Sequence, residues 1–287
     1  MPSTVDEFVA DAVCRRFGGF VAVDGVSLTL RPGDRHALVG PNGAGKTTLL
    51  DLLAGTVTPS AGRIRWRGRD ITRWGPARRA RAGIARSFQT PVAIATLSTV
   101  ENLVLGAWPH LLGPTFSPSA AGRRWSVGRR YRWLRERVLA LAEELGLAGC
   151  LDTPARQLSH GQRRLLDLGM ALAGRPAVLL LDEPAAGLHG TAELDRLLGL
   201  LQRLPSSLAL LLVEHHLDVV AALATTVTVL DRGRVLASGT PAQVGTADEV
   251  RRVYPGLAEH AWLAGPVGPG SGGHAGRSPE VTTHAAD

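Results

Sequence analysis

Short apolar runs that end in small or polar residues recur along the chain. RHALVG (35–40), AVLLLDEP (177–184) and LALLLVEH (208–215) each have the length and composition of a buried strand. LLDLLAG (49–55) follows the first run and has the apolar spacing of a helix. Strands interleaved with helices predict an α/β fold class.

Two other segments, 1–30 and 62–74, alternate apolar and polar residues instead. This alternation is typical of strands with one buried face, and we expect the two segments to form an antiparallel sheet. Residues 265–287 contain few apolar side chains, so we expect a disordered tail. The chain shows no internal repeat.

The region after Gln89 and before residue 157 has a mostly helical pattern, interrupted by a loop rich in Pro, Gly and Ser at 113–122. Its stretch RRYRWLRERVLALAEELGL (129–147) is rich in arginine and amphipathic. We expect its apolar face to pack on the core, while its arginines either face solvent or contact headgroups or a membrane partner. That face is formed by Trp133, Val138, Leu141 and Leu145.

Composition narrows the class of protein. With 287 residues, 45% of them hydrophobic, the chain can bury a sizeable core as one large or two small domains. Cys14 and Cys150 lie far apart, which argues against a disulfide framework or a thiolate zinc site and favours a reducing cytosol. No apolar run is long enough to span a bilayer, and the acidic start MPSTVDEFVAD does not resemble an export signal.

The net charge of +7 is compatible with nucleic acid, an anionic membrane surface or a general bias towards arginine. Of the 32 basic residues, 31 are arginine and only Lys46 is lysine. Nine arginines lie between Arg63 and Arg86 without any motif that reads nucleic acid, so we expect no nucleic-acid partner. Because arginine is used almost everywhere else, we expect the one lysine at a position where a guanidinium group cannot replace an ammonium group.

Lys46 belongs to GPNGAGKTT (40–48), which fits the phosphate-binding pattern G-x-x-x-x-G-K-[ST] between a predicted strand and helix. The glycines let backbone N–H groups surround a β-phosphate, Lys46 bridges the β- and γ-phosphates, and the Thr47 hydroxyl can bind Mg²⁺. A glycine-rich turn with a stray lysine is the alternative. The predicted nucleotide-binding residues are Gly40, Pro41, Asn42, Gly43, Ala44, Gly45, Lys46, Thr47 and Thr48.

Two acids end the apolar run at 177–184. Asp182 is predicted to hold Mg²⁺, mostly through water, and Glu183 to orient or deprotonate an attacking water. An isolated pair of this kind is more often a solvated turn after a buried strand. Behind a phosphate-binding loop the catalytic interpretation is preferred, although kinases, GTPases, helicases and transport ATPases all remain open.

The segment QLSHGQRRLLDLGMALAG (157–174) separates these classes. LSHGQ is similar to the LSGGQ signature of ATP-binding cassette (ABC) ATPases, with His160 at the usual first glycine. The three motifs occur in that family's order, so the chain from about 5 to 264 resembles one ABC nucleotide-binding domain. The resemblance implies a P-loop NTPase (RecA-like) core, with an antiparallel β subdomain and a helical subdomain inserted at about 91–165.

The resemblance also implies that two cassettes share each ATP. Ser159, Gly161 and Gln162 would face the γ-phosphate held by the opposite subunit, although a serine before a helix is also a common N-cap. Gln89, in GIARSFQTP, looks like the family's glutamine that contacts Mg²⁺ and the attacking water. Phe17 would stack on adenine or, equally, belong to the core.

Two adjacent histidines follow the last apolar run. By the same resemblance His215 contacts the γ-phosphate, and His216, where the family usually has aspartate, turns away. A metal site is disfavoured because no further ligand lies at a suitable spacing. His189 departs from the family pattern, because many members have aspartate here, in the loop that touches the opposite subunit near the attacking water.

Several segments resemble the ATPase subunits of branched-chain amino acid importers, including LSTVENLVLG (97–106) and VLASGTPAQV (235–244). Other segments also resemble the ATPase subunits of urea importers, namely FQTP, and LSHGQ together with LGM. The sequence therefore does not decide between these two solutes. We therefore expect an ATPase that binds ATP and Mg²⁺, pairs with the same or a related cassette, and docks on permease subunits served by a solute-binding protein. It would be cytoplasmic and peripheral on the inner face of the membrane. A non-transport ABC ATPase and a regulator without turnover are the rival interpretations.

Overall fold

The computed structural model describes residues 6–87, 92–112, 124–188 and 191–253. The strands are β1 (Phe8–Phe17), β2 (Phe20–Leu30), β3 (Arg35–Val39), β4 (Ala61–Trp66), β5 (Arg69–Asp70), β6 (Ile84–Arg86), β7 (Val178–Asp182), β8 (Ala209–Val213), β9 (Thr226–Asp231) and β10 (Arg234–Gly239). The helices are α1 (Lys46–Ala54), α2 (Pro76–Arg81), α3 (Thr99–Leu112), α4 (Arg124–Glu144), α5 (His160–Ala173), α6 (Thr191–Gln202), α7 (Leu217–Leu223), α8 (Pro241–Thr246) and α9 (Asp248–Val253).

The central sheet has the strand order β10-β9-β3-β8-β7-β6. All of its neighbouring strands are parallel except β10, which is antiparallel to β9. Parallel strands place their carboxyl ends at one edge of a sheet, where α/β proteins bind their ligands. The segments that follow β3, β7 and β8 therefore meet at a single edge. They contain the predicted phosphate-binding loop, the acidic pair and the two histidines.

A second sheet, antiparallel in the order β2-β1-β4-β5, is formed by the two segments that were predicted to form one. Its buried side chains, such as Phe8 and Ile64, join a hydrophobic cluster with Leu49 and Leu53 of α1. The same cluster includes Val178 and Leu211 from one face of the central sheet. The small sheet thus supports the helix that begins at the phosphate-binding loop.

Helices α3, α4 and α5 pack over the other face of the central sheet. Val138, Leu141 and Leu145 are buried, so the predicted apolar face of the amphipathic stretch is confirmed for them. Helix α4 nevertheless begins five residues earlier than the predicted stretch and ends at Glu144. The Trp133 side chain and the loop at 113–122 lie outside the described residues.

Arg79 is completely buried in α2. Its guanidinium donates hydrogen bonds to five backbone carbonyls, and burial lowers its pKa to about 10. Two of these carbonyls end α1, where a cation compensates the negative end of a helix. The acceptors belong to Leu52, Leu53, Ile71, Thr72 and Trp74.

No helix within the described ranges is both long enough and apolar enough to cross a membrane. Residues 254–287 lie outside those ranges, so the predicted domain end at 264 and the predicted disordered tail, 265–287, stay predictions.

Candidate active site

The loop between β3 and α1 has a backbone that only glycine adopts easily. Gly40 and Gly45 have φ angles of 147° and 98°. A Cβ atom would collide with the carbonyl oxygen of Leu230 at Gly40, and with that of Ala22 at Gly45. The sequence therefore folds here as a tight loop that leads directly into the N-terminus of α1, as an anion-binding loop requires.

Lys46 is only 6% exposed, which does not fit a stray lysine in a surface turn. Its Nζ donates to the carbonyl oxygens of Gly40 at 2.7 Å and Pro41 at 2.9 Å. Burial lowers the pKa of Lys46, and the negative charges of Glu183 and Asp182 oppose that shift. The ammonium thus binds the backbone of the loop and also interacts electrostatically with the acidic turn.

The other residues of the predicted loop differ in exposure. Asn42, Gly43 and Thr47 are exposed and can meet a ligand directly, and Thr48 is half-buried. Ala44 is buried, and its N–H donates to the Pro41 carbonyl at 3.2 Å. Ala44 therefore shapes the loop.

Asp182 ends β7 and is 1% exposed. Its Oδ2 accepts a hydrogen bond from Arg86 at 3.1 Å, and Arg86 also binds Asp51 of α1 at 2.5 Å. Burial raises the pKa of Asp182, while Arg86 opposes this rise. Its Oδ1 is buried and has no hydrogen-bond partner among the described residues.

The unpartnered carboxylate oxygen of Asp182 and the exposed hydroxyl of Thr47 are of the ligand type that Mg²⁺ prefers. The described residues hold no group of three or more His, Cys, Asp or Glu that could bind a metal by themselves. Mg²⁺ commonly takes one or two protein oxygens and completes its coordination with water and phosphate. Asp182 and Thr47 match that donor set.

Glu183 follows β7 in a left-handed backbone conformation, with φ 48°. Its Oε1 lies 2.7 Å from Nε2 of His215, which follows β8. The predicted base and the predicted phosphate sensor are thus in direct contact. His216 is exposed, and its turning away from the γ-phosphate stays a prediction.

Two charged residues beside this turn had no role in the sequence analysis. Arg164 of α5 is buried and donates to the carbonyl oxygens of Asp182, at 3.3 Å, and of Glu183. Glu214, between β8 and His215, is buried and accepts backbone N–H groups. In the sequence Arg164 follows another arginine and Glu214 ends an apolar run, and neither pattern reveals these backbone partners.

The predicted signature residues begin α5. Ser159 Oγ accepts from the Gln162 N–H at 3.1 Å, and Gln162 Oε1 accepts from the Ser159 N–H at 2.9 Å, which together form a capping box. Ser159 is exposed and keeps a hydroxyl proton to donate, so the N-cap and the anion site are compatible. Gly161 is buried, and a Cβ there would collide with the carboxylate of Glu193.

The His160 side chain packs against Gly187, because a Cβ at Gly187 would collide with the imidazole ring. The ring therefore joins the signature to the loop that follows the acidic turn. His189, further along that loop, lies outside the described residues, as does Gln89.

Phe17 lies at the β1–β2 hairpin and is 46% exposed, so the alternative that it belongs to the core is wrong. The Arg15 guanidinium lies 4.5 Å from the centre of its ring. Ala22, a few residues further along β2, meets Gly45 of the phosphate-binding loop. The hairpin strand β2 thus contacts the phosphate-binding loop, and stacking of Phe17 on adenine stays a prediction.

The parallel sheet, the glycine loop and the acidic turn together define a P-loop nucleotide-binding protein. The ABC transporter family profile matches residues 23–186, so the chain belongs to this family. Its ATP binding and hydrolysis, predicted from the motifs, are confirmed with that membership.

Two curated relatives are of similar identity. The high-affinity branched-chain amino acid transport ATP-binding protein BraF of Pseudomonas aeruginosa is 35% identical, covering 85% of this chain and 95% of that protein. The sulfate/thiosulfate import ATP-binding protein CysA 2 of Chromobacterium violaceum is 37% identical, covering 88% of this chain and 63% of that protein. The resemblance to ATPase subunits of branched-chain amino acid importers is thus confirmed.

A crystal structure of an ABC transporter's ATP-binding cassette in its ADP conformation shares the fold. It is 28% identical with a TM-score of 0.71, and the match covers 87% of this chain and 98% of that one. The predicted fold class is therefore confirmed.

Proposed function

We propose that this chain is the ATP-hydrolysing subunit of an importer for branched-chain amino acids or a related small polar solute. The observation that carries the proposal is the 35% identity to a branched-chain amino acid transport protein over nearly the full length of that protein. The similar identity to a sulfate/thiosulfate protein extends over a smaller share of its length.

Two cassettes, identical or related, pair to complete each ATP site. The exposed Ser159 supports this pairing, because within the described ranges no hydrogen bond joins residues 159–162 to the loop at 40–48. A phosphate held by one subunit's loop is then free to meet the signature of the other. ATP closes the pair, and hydrolysis allows it to reopen.

Within each site, residues 40–48 surround the phosphates and Phe17 stacks on the adenine. Thr47, Asp182 and Gln89 would hold Mg²⁺, which would neutralise developing phosphate charge when bound. Glu183 takes a proton from the attacking water, and His215 contacts the γ-phosphate while orienting Glu183. The 2.7 Å contact between Glu183 and His215 supports these two roles.

The cassette spans residues 1–264 and lies peripherally on the inner face of the cell membrane. Its helical subdomain, about 91–165, docks on permease subunits, which a solute-binding protein serves. Large apolar side chains that are exposed near the start of this subdomain support docking there. They are Val92, Ile94, Leu105 and Trp108.

An uptake experiment tests this proposal. Cells that lack the gene should lose uptake of labelled leucine, isoleucine and valine; the wild-type gene should restore it, and a Glu183→Gln gene should not. Labelled urea and sulfate serve as comparison solutes. Unchanged uptake of all the amino acids would overturn the assignment, and selective loss of urea or sulfate uptake would replace the solute.

A second measurement tests the catalytic role of Glu183 in the purified chain. Steady-state ATPase activity should fall by at least about 100-fold in Glu183→Gln, because a general base contributes roughly 10² to 10⁴ to a rate. Unchanged turnover in this variant would refute the assignment.

A further inference from the structure

Glu214 is a buried acid at the active edge of the central sheet. It follows the last residue of β8, precedes His215 and is 1% exposed. Burying a carboxylate is costly unless hydrogen bonds compensate for the lost water. The partners of Glu214 therefore indicate why an acid occupies this position.

Three backbone N–H groups donate to Glu214. Its Oε1 accepts from Ala185 at 2.8 Å, and its Oε2 accepts from His215 at 2.9 Å and His216 at 3.1 Å. All three partners are donors, which suits the acceptor-only chemistry of an ionised carboxylate. A glutamine of the same shape would point an amide NH₂ group at one or two of these donors.

The three donors belong to the two turns that carry the predicted base and the predicted sensor: one donor lies in the turn after β7, and two lie in the turn after β8. Ala185 is two residues after Glu183, and His215 carries the imidazole that Glu183 binds. The Glu183 N–H also donates to the Val213 carbonyl at 2.9 Å, directly before Glu214. One carboxylate thus ties the turn after β7 to the turn after β8.

We propose that Glu214 is a positioning residue for ATP hydrolysis, which holds the turns after β7 and β8 in the register that sets the Glu183 to His215 contact. This inference rests on the roles proposed for Glu183 and His215. Glu214 acts only through the backbone of its neighbours and does not touch the nucleotide. It therefore affects the chemical step more than nucleotide binding.

Glu214→Gln tests this role in the purified full-length chain. We expect kcat for Mg²⁺-dependent ATP hydrolysis to fall at least about tenfold, because a misplaced base loses much of its effect. KM, and the affinity for a fluorescent ATP analogue, should change less than about threefold, since the phosphate-binding loop is untouched. A kcat within about twofold of wild type would overturn the proposal.

Thr228→Val is the matched control. Thr228 is 2% exposed and bonds His36 at 2.8 Å and Ser238 at 2.7 Å, so this isosteric change also removes buried hydrogen bonds, but on β9. We expect it to lower the melting temperature while kcat changes less than about twofold. If it reduces kcat as much as Glu214→Gln does, the effect is general destabilisation and the proposal fails.

Non-additivity gives a readout that a purely structural role would not affect. In a His215→Ala background, Glu214→Gln should reduce kcat by less than about threefold, because the contact it sets is already gone. A full tenfold further loss would contradict the proposal. Glu214→Asp, which keeps the charge on a shorter arm, should retain more kcat than Glu214→Gln.

Glu214→Asp also decides the question if Glu214→Gln does not fold. A kcat for Glu214→Asp within about twofold of wild type would then overturn the proposal, and a reduction of at least about threefold at unchanged KM would support it. Absence of ATPase activity in the wild-type chain would instead count against the proposed function.

Discussion

Two neighbouring loops at the edge of the central sheet keep their shape by different means. The loop at 40–45 depends on glycine backbones that approach the carbonyl oxygens of β2 and β9 closely. The turn at 182–185 is instead surrounded by buried charged side chains from three other elements. These are Arg86 of β6, Arg164 of α5 and Glu214 after β8.

The difference teaches where each loop is sensitive to change. A loop shaped by sterics fails when a single Cβ is added within it. A turn held by charges fails when a distant side chain is removed, because its buried backbone groups then lose their partners. The signature helix α5 supplies one of those side chains, so the segment proposed to serve the opposite subunit also supports its own acidic turn.

The largest effect should come from Gly45→Ala. The new Cβ would collide with the Ala22 carbonyl oxygen, and the φ of 98° would strain the backbone. We expect the affinity for a fluorescent ATP analogue to fall at least about 100-fold, because strain alone costs about 1–2 kcal/mol, or about 5- to 30-fold, and the collision adds to it. Gly43→Ala, where φ is also positive but the Cβ meets open space, should lose affinity only through strain, by less than about 30-fold. Equal losses would show that sterics do not shape the loop.

Arg164→Met should affect catalysis next most strongly. The carbonyls of Asp182 and Glu183 would lose a charged donor, which should cost about 1–3 kcal/mol of stability by urea unfolding. We expect kcat to fall about tenfold, because the backbone that carries Glu183 loosens. Arg163→Met, at an exposed neighbour, should change stability by less than about 0.5 kcal/mol. Similar effects in both variants would remove Arg164 from the support of the turn.

His36, on the strand before the glycine loop, makes stability depend on pH. Burial lowers its pKa from 6.5 to about 4, so the folded chain stays neutral where the unfolded chain binds a proton. Protonation therefore favours unfolding, and the free energy of unfolding should fall by about 2 kcal/mol from pH 7 to pH 5. In urea unfolding measured between pH 5 and pH 7, the His36→Gln variant should lose this dependence of the free energy of unfolding on pH. The His216→Gln variant should keep it. A slope that survives in His36→Gln would contradict the assignment.

The smallest effect is expected for Arg67→Ala. Arg67 pairs with Asp6 at 2.8 Å, but both side chains are about half exposed. Water and salt screen such a pair, so the free energy of unfolding should change by less than about 1 kcal/mol in this variant. A loss above about 1.5 kcal/mol would mean that exposed charges support this fold as strongly as buried ones.

The same contrast explains what the sequence could predict. The glycine loop is specified by nine contiguous residues, and its strand and helix carry local apolar patterns. Glu183 was predicted from its apolar run together with the phosphate-binding loop upstream, and His215 from the family resemblance. Arg86, Arg164 and Glu214 could not, because their partners lie far along the chain and only the fold brings them together. The exposure of Phe17 likewise depends on how the hairpin lies on the core.

Arg79 changes how the basic run at 63–86 should be understood. Its flat, forked head group reaches five carbonyls at once, whereas a lysine has only three protons to share, so at least two oxygens would go unmet after Arg79→Lys. Arg79 therefore stabilises the interior by joining separate backbone segments. Arg86 is also occupied inside the fold, where it pairs with Asp182. The segment 63–86 therefore presents fewer positive charges to a polyanion such as nucleic acid than the number of its arginines suggests.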